Sequence, residues 1–554
     1  MIPRQSGGSY AQSAVAASLG NGLINQIAWL ETDLAAAHAV AADTTNGTFW
    51  HKKIALPVKN PEDVIGLKLF YCNHDTGSAV TIAAVVGATE TAMTDTDNNR
   101  YKVVKDGDAA TYNVYNSATD VYGWFPILWA AASSVAVNVP TSSLDPAFTV
   151  SDFLPIVLIP RAAGDTTAGS YTKWPLLMIR ARFTAVGTRN ISYKVAAVAA
   201  NVQSATDNNR GLITQSYRTS NAGNSTFISA PDSNTPSGAL VEASMSMGVI
   251  LYLKNGGISI LAFGDSTTSA GSIADGVMGG YEGPGTVAAA LVAESGTPCG
   301  YVNRGAPSQQ ANIWAAAVAT TVAAVPGNVV VHQVLTHNSG GGLTTAALAR
   351  VKCKEWGKYI SDVYGYIAAA GLAINKAARL FLCTGTPDPT NVTTAAADAV
   401  RIAWINNLRQ GRIAPTIVDT AALFKDTGGA SPESWNQQYG AAIGTAVPLT
   451  SISAGAPGVC TKTAHGYVTG TVGRLTTSGT LPTGLALATY YFVNRIDADT
   501  FSLSLTNGGT GITTSDTGTG THSFNPIDYI HEGPAGVRAW GSLLRSRIRE
   551  VFGV

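Results

Sequence analysis

The sequence predicts a multidomain chain: an N-terminal helix and a β-sandwich, then a three-layer α/β domain on a parallel sheet that is interrupted by a small β module. Three observations carry this. Apolar residues alternate with polar ones from about residue 50 to 250 with no helical period between them. After residue 256 short apolar runs alternate with Ala-rich helical stretches. Residues 448–524 then turn rich in Thr, Gly and Ser. At 554 residues the chain exceeds one core, and ordinary domain sizes give roughly 3 to 4 units. The boundaries fall at 1–48 for a helical or docking segment, 49–255 for the sandwich, 256–447 and 525–554 for the α/β domain, and 448–524 for the inserted module.

Each element has its own signal. Over 12–42, Leu19, Leu23, Ile27, Leu30 and Leu34 recur at 4, 4, 3 and 4, which predicts a helix with one apolar face, packed on the next domain or serving as a docking arm. In the sandwich, Leu67, Leu69 and Tyr71 alternate with Lys68 and Phe70, and Leu177, Ile179, Ala181 and Phe183 with Arg180 and Arg182. Thr96-Asp-Asn-Asn-Arg100 recurs as Thr206-Asp-Asn-Asn-Arg210 and reads as two like turns. In the α/β part, strands are expected at 258–263, 301–303, 328–334, 380–384 and 415–418, with helices at 286–294, 309–322, 344–370 and 393–409 and a closing helix carrying Val537, Trp540, Leu544, Ile548 and Val551 on one face. Strands alternating with helices imply right-handed crossovers.

Composition excludes several function classes. Lys plus Arg and Asp plus Glu are 35 each and no long basic run occurs, so the electrostatic footprint of a nucleic-acid binder is missing. Charged residues are 13% of the chain and glycines number 58, which suits a turn-rich β protein or a surface shared with other subunits, and favours an assembly component. Cys72, Cys299, Cys353, Cys383 and Cys460 are scattered and form no Cys-x-x-Cys, so buried thiols are expected rather than disulfides or zinc. No apolar leader and no run long enough to span a membrane occurs, which points to synthesis in a cytoplasm.

The chain is organised around residues 258–267. Ile258-Ser-Ile-Leu-Ala-Phe-Gly264 reads as a buried parallel strand that delivers Asp265 and Ser266 to its carboxyl end, where open α/β sheets hold their chemistry. A base stands far downstream in Asp528-Tyr-Ile-His531, where a short loop could hold the carboxylate against the imidazole. Asn303-Arg-Gly305 and Thr336-His-Asn338 end the second and third strands, so a Gly N–H and an Asn amide could meet an oxyanion above Ser266. Asp265 and His337 are left as substrate-lining candidates, and His332, alternating with Val331 in its strand, is expected to be structural. No His-x-His or His-Glu-x-x-His spacing supports catalytic zinc. Gly283-Pro-Gly285 lies too far past its strand for a dinucleotide turn, and no Gly-x-Ser-x-Gly elbow occurs.

Gly264-Asp-Ser-Thr267, Gly305, Asn338 and Asp528-Tyr-Ile-His531, in that order, resemble the SGNH (GDSL-like) esterase and acetylesterase family. The resemblance covers about 256–445 and 525–554. It implies an SGNH-type three-layer α/β fold with a flavodoxin-like parallel sheet, Ser266 as nucleophile, His531 as general base and Asp528 as its orienting acid. The Ser266 amide, Gly305 and Asn338 would form the oxyanion hole, and no metal or cofactor is needed. The family's third block is usually Gly-x-Asn-Asp, and here it reads Thr336-His337-Asn338-Ser339. The inserted module, with His465-Gly466, Thr480-Leu-Pro-Thr-Gly484, Tyr490-Tyr491, Asp499-Thr-Phe501 and Gly520-Thr-His-Ser-Phe524, resembles a small β repeat of bacteriophage tail proteins. Together these imply a virion-associated esterase, a tail fibre or tailspike, that deacetylates host surface polysaccharide. Its expected partners are that polysaccharide, other virion proteins and copies of itself, the trimer of phage fibres being the guide, with no nucleic acid and no membrane. The alternative is a structural or receptor-binding virion protein that keeps the esterase scaffold.

Overall fold

A computed structural model describes residues 22–30, 36–40, 43–74, 77, 80–87, 102–105, 115–116, 121–122, 125–140, 145–159, 176–185, 189–194, 214–219, 243–245, 247–269, 284–305, 311–333, 343–373, 379–385, 392, 394–410, 416–425, 440–442, 446–487, 489–506, 508–532 and 534–554. Both Thr-Asp-Asn-Asn-Arg segments lie outside them.

One strand ties the parts together. Strands β1 (Ile24–Trp29) and β2 (Val64–Asn73) pair antiparallel with the first half of β3 (Met247–Gly264). The second half of β3 pairs in parallel with β4 (Cys299–Gly305) on one side and β5 (Val329–Gln333) on the other. Beyond β5 follow β6 (Arg379–Cys383) and β7 (Thr416–Val418), both parallel. The parallel order is therefore β4-β3-β5-β6-β7, in chain order 2-1-3-4-5, the doubly wound arrangement expected.

The parallel half of β3 is buried without a break, because helices cover both faces of the sheet. Alternate residues point to opposite layers. Ile258 and Ile260 join a core with Ala288 and Val292 of α2 (Pro284–Glu294) and with Trp540, Leu544 and Ile548 of the closing helix α6 (Pro534–Phe552). Leu261 and Phe263 join the opposite core, with Val318 of α3 (Ala311–Ala324), Trp356 and Ile360 of α4 (Ala346–Ala373), and Ile405 of α5 (Ala395–Arg409). No described helix is long and apolar enough to cross a membrane.

The antiparallel half of the same sheet is one layer of the sandwich. Facing it is a sheet ordered Val135–Val137, Val80–Gly87, Leu176–Ala185, Asp43–Ala55, Thr214–Thr219. Tyr71 of β2 reaches across to Phe183 with ring centroids 5.5 Å apart. The other face of this half, with Phe70, Ile250 and Tyr252, packs in the helix-covered core. The sandwich and the α/β part thus share a sheet, and the expected boundary at 255/256 falls inside β3, which runs on through Gly256 and Gly257.

The expected helix over 12–42 is corrected. Residues 24–29 form β1 and Ala36–Val40 is also a strand, while 1–21 and 31–35 lie outside the described residues. Ile27 and Trp29 pack in one core, Ala28 and Leu30 in the other. Within β1 the polar pair Asn25-Gln26 is half-buried and Ile24 and Ile27–Trp29 are buried, so its apolar residues serve both faces of a sheet and their spacing does not mark one helix face. The five cysteines are free and buried, as expected.

Residues 447–526 form a small β unit with its own core of Leu449, Ile452, Leu475, Tyr491, Val493, Phe501, Leu503 and Phe524. Its sheet includes β9 (Val472–Thr477) and β10 (His522–Glu532). At its edge β10 also pairs with β8 (Gly440–Ala442), which precedes the module in the chain.

The placement of β1 makes a direct prediction. A Cβ added at Gly300 of β4 would lie 2.2 Å from the Ala28 carbonyl oxygen of β1, a backbone atom that cannot step aside. Gly300→Ala is therefore expected to lower stability by about 1–3 kcal/mol in urea or thermal unfolding. An unchanged midpoint would contradict β1 at this position.

Candidate active site

The site sits where the parallel order reverses, at the carboxyl ends of β4, β3 and β5, the crevice that open α/β sheets offer to ligands. Strand β3 ends at Gly264, and a single helical turn, α1 (Ser266–Ser269), begins two residues on. Ser266 is its first residue. Asp265 caps the turn: its Oδ1 accepts from the Thr267 N–H at 3.0 Å and from the Thr267 hydroxyl at 2.7 Å, and its carbonyl accepts from the Thr268 N–H at 3.2 Å. Asp265 is fully buried. Its Oδ1 is engaged by the turn, while Oδ2 is buried with no hydrogen-bond partner among the described residues.

The turn is also tied to the next strand. The Thr267 and Thr268 hydroxyls lie 3.0 and 2.7 Å from Gln333 Oε1 at the end of β5. Glycine at 264 permits this closeness, since a Cβ there would stand 2.0 Å from Thr268 Oγ1 and 2.7 Å from Gln333 Oε1. Nothing in the sequence pattern marked Gln333.

Gly305 ends β4 directly beside Gly264 in the parallel register. Its N–H donates to Asn303 Oδ1 at 2.9 Å, so this expected oxyanion donor is engaged within its own strand end. Arg304 between them is buried, with Nη1 3.4 Å from His74 Nε2. Asn338 and His337 lie outside the described residues.

Asp528 and His531 are found in a strand, which corrects the short loop expected for them. The reason is visible in the register of β10 against β8. Ile527 pairs with Ala442 and Glu532 with Gly440, so the four residues 528–531 stand opposite the single residue Ala441. In a regular strand, positions three apart face opposite sides; a bulge breaks that alternation and re-aims side chains, and bulges concentrate beside active sites. The Asp-x-x-His motif falls within this bulge or irregularity of the ladder. One end of β10 is held by β9 in the module sheet. Helix α1 packs against β3, β4 and β10, with Cα atoms within 8 Å, so the element that begins at Ser266 and the strand carrying Asp528 and His531 are neighbours.

His332, one residue before Gln333, is fully buried, and among the described residues neither ring nitrogen has a hydrogen-bond partner. Burial pushes its pKa down from 6.5 to about 4. The unfolded chain takes up this proton near 6.5 and the folded protein only near 4, so its effect on stability is absent above that window and destabilising as pH falls through it. The loss amounts to about 3 kcal/mol by the lower end. His332→Leu is expected to flatten the fall in unfolding free energy between pH 6.5 and 4; a variant with the wild-type slope would show that another group is responsible.

No protein-family model and no curated protein matches this chain. Solved structures similar to it include a lipase, an acylhydrolase and members of the G-D-S-L and SGNH-hydrolase families. A lipase from a goat rumen metagenome is 16% identical, over 31% of this chain and 84% of that one, with a TM-score of 0.26. A lipolytic protein of the G-D-S-L family from Desulfitobacterium hafniense is 16% identical, over 32% and 84%, with a TM-score of 0.23. AlinE4, an SGNH-hydrolase family esterase, is 13% identical, over 31% and 81%, with a TM-score of 0.23.

Proposed function

We propose that this protein is a serine esterase, virion-associated, that removes acetyl groups from a host surface polysaccharide through an acyl-enzyme. The observation that carries the reading is the bulge of residues 528–531 in a strand packed against the turn that starts at Ser266, at the switch point of a doubly wound sheet. An acid and a base three residues apart, set in a bulge beside a serine, are the parts that nucleophilic acyl transfer requires.

In this mechanism His531 takes the Ser266 hydroxyl proton as the oxygen attacks the ester carbonyl, and Asp528 fixes the imidazole tautomer and supports the imidazolium. The tetrahedral oxyanion is met by the Ser266 N–H at the start of α1 and by the Gly305 N–H, which turns from Asn303 to the stronger acceptor; Asn338 supplies the third donor. His531 returns its proton to the leaving alcohol. Water, activated by the same imidazole, then releases acetate and restores Ser266.

The polysaccharide substrate and the virion setting rest on the module's likeness to phage tail repeats and on the chain's low charge. Partners would be the glycan, other virion proteins and further copies of this chain. The second reading is an attachment protein that keeps the scaffold without the chemistry, and the Gly305 N–H already satisfied by Asn303 favours it.

The test is acetate release from acetylated host glycan and from a small activated acetyl ester. Ser266→Ala is expected to lower kcat at least ~10³-fold, and Asp528→Asn about 10³- to 10⁴-fold. No release by the wild type, with binding to host cells intact, would establish the attachment protein instead.

A further inference from the structure

Resting on Ser266 as the reacting group, we infer that Gln333 is a positioning residue that sets the nucleophile turn from the neighbouring strand. Helix α1 is four residues long, and a single turn does not hold itself, because nucleation fixes several dihedrals for one hydrogen bond. Its position depends on what ties it down. Asp265 ties it to β3, and Gln333 ties it to β5 through two hydroxyls.

Proton counting shows that this tie is a network. A threonine hydroxyl has one proton, and the Asp265 carboxylate accepts only. The Thr267 proton therefore goes to Asp265 at 2.7 Å, and its contact with Gln333 at 3.0 Å needs a donor from the amide. Among the described residues Gln333 Nε2 is buried and has no hydrogen-bond partner. The two ends of a glutamine amide are interchangeable on shape, and with the NH₂ turned toward the threonines both hydroxyl oxygens accept from it. In either orientation Gln333, 1% exposed, bridges the first two residues after Ser266 to the carboxyl end of β5. Phe263 pairs with His332, so this bridge closes the reversal point of the sheet one residue beyond its last ladder pair. It fixes where the Ser266 backbone stands relative to β4 and β10, a placement in which an error of about 1 Å costs on the order of 100-fold in rate.

The experiment compares Gln333→Met, Thr268→Val, their double variant and Thr268→Ser in the full chain. It reads kcat and KM on the activated acetyl ester, amide hydrogen exchange at residues 266–269, and global unfolding. Gln333→Met and Thr268→Val are each expected to lower kcat roughly 10- to 100-fold with KM changed less than about threefold, and to speed exchange in α1 at least about tenfold while the unfolding midpoint stays near wild type. The double variant should be no slower than the worse single one, as expected for two ends of one bridge. Thr268→Ser keeps the hydroxyl and should act as wild type. Losses that multiply in the double variant, or wild-type exchange in α1 of Gln333→Met, would overturn the inference. A wild type with no turnover, but with α1 exchange that depends on Gln333, would instead overturn the esterase reading and leave the bridge standing.

Discussion

Everything in this molecule hangs on the pairing of one eighteen-residue strand. β3 is antiparallel to β1 and β2 along its first half and parallel to β4 and β5 along its second. Its first half presents one face to the sandwich and the other to the helices, so both cores close on it. A slip of one residue would exchange those faces along the whole strand, which pins the register strongly. The same register carries Gly264, Asp265 and Ser266 to the edge of the crevice. The β-rich front half and the candidate site are thus parts of one cooperative unit rather than beads on a linker.

The second long strand, β10, does for the acid and base what β3 does for the serine. Its first residues are held by β9 in the small module, and its last run into the closing helix α6, which packs under the parallel sheet. A chain entering a site through a free loop must order that loop. Here the module's sheet supplies the order, and the register shift opposite Ala441 sets residues 528–531 apart from the regular ladder. This gives the insertion a physical role whatever it binds: it anchors the strand on which Asp528 and His531 stand.

How much of this was legible in the sequence follows from which forces left a periodic trace. The parallel strands were legible because burial on both faces leaves unbroken apolar runs, and the helices between them because one buried face leaves a 3.6-residue period. β1 was not, because its few apolar residues, interrupted by Asn25 and Gln26, fit one face of a helix as well as a strand, and pairing with a strand more than two hundred residues away decided between them. Ser266 was legible through its place after an apolar run. The bulge was not, since it depends on a partner strand some ninety residues earlier. Gln333 left no trace at all, because its role consists of two hydroxyl contacts across the sheet.

The account's central claim is that Ser266 and His531 act on one carbonyl. It is tested most directly by covalent modification with a fluorophosphonate, followed by peptide mapping, on the wild type and on His531→Ala. The account predicts stoichiometric modification at Ser266 in the wild type and modification slowed at least ~10³-fold in His531→Ala. No adduct at Ser266 in the folded wild type, or equal rates in both proteins, would contradict it.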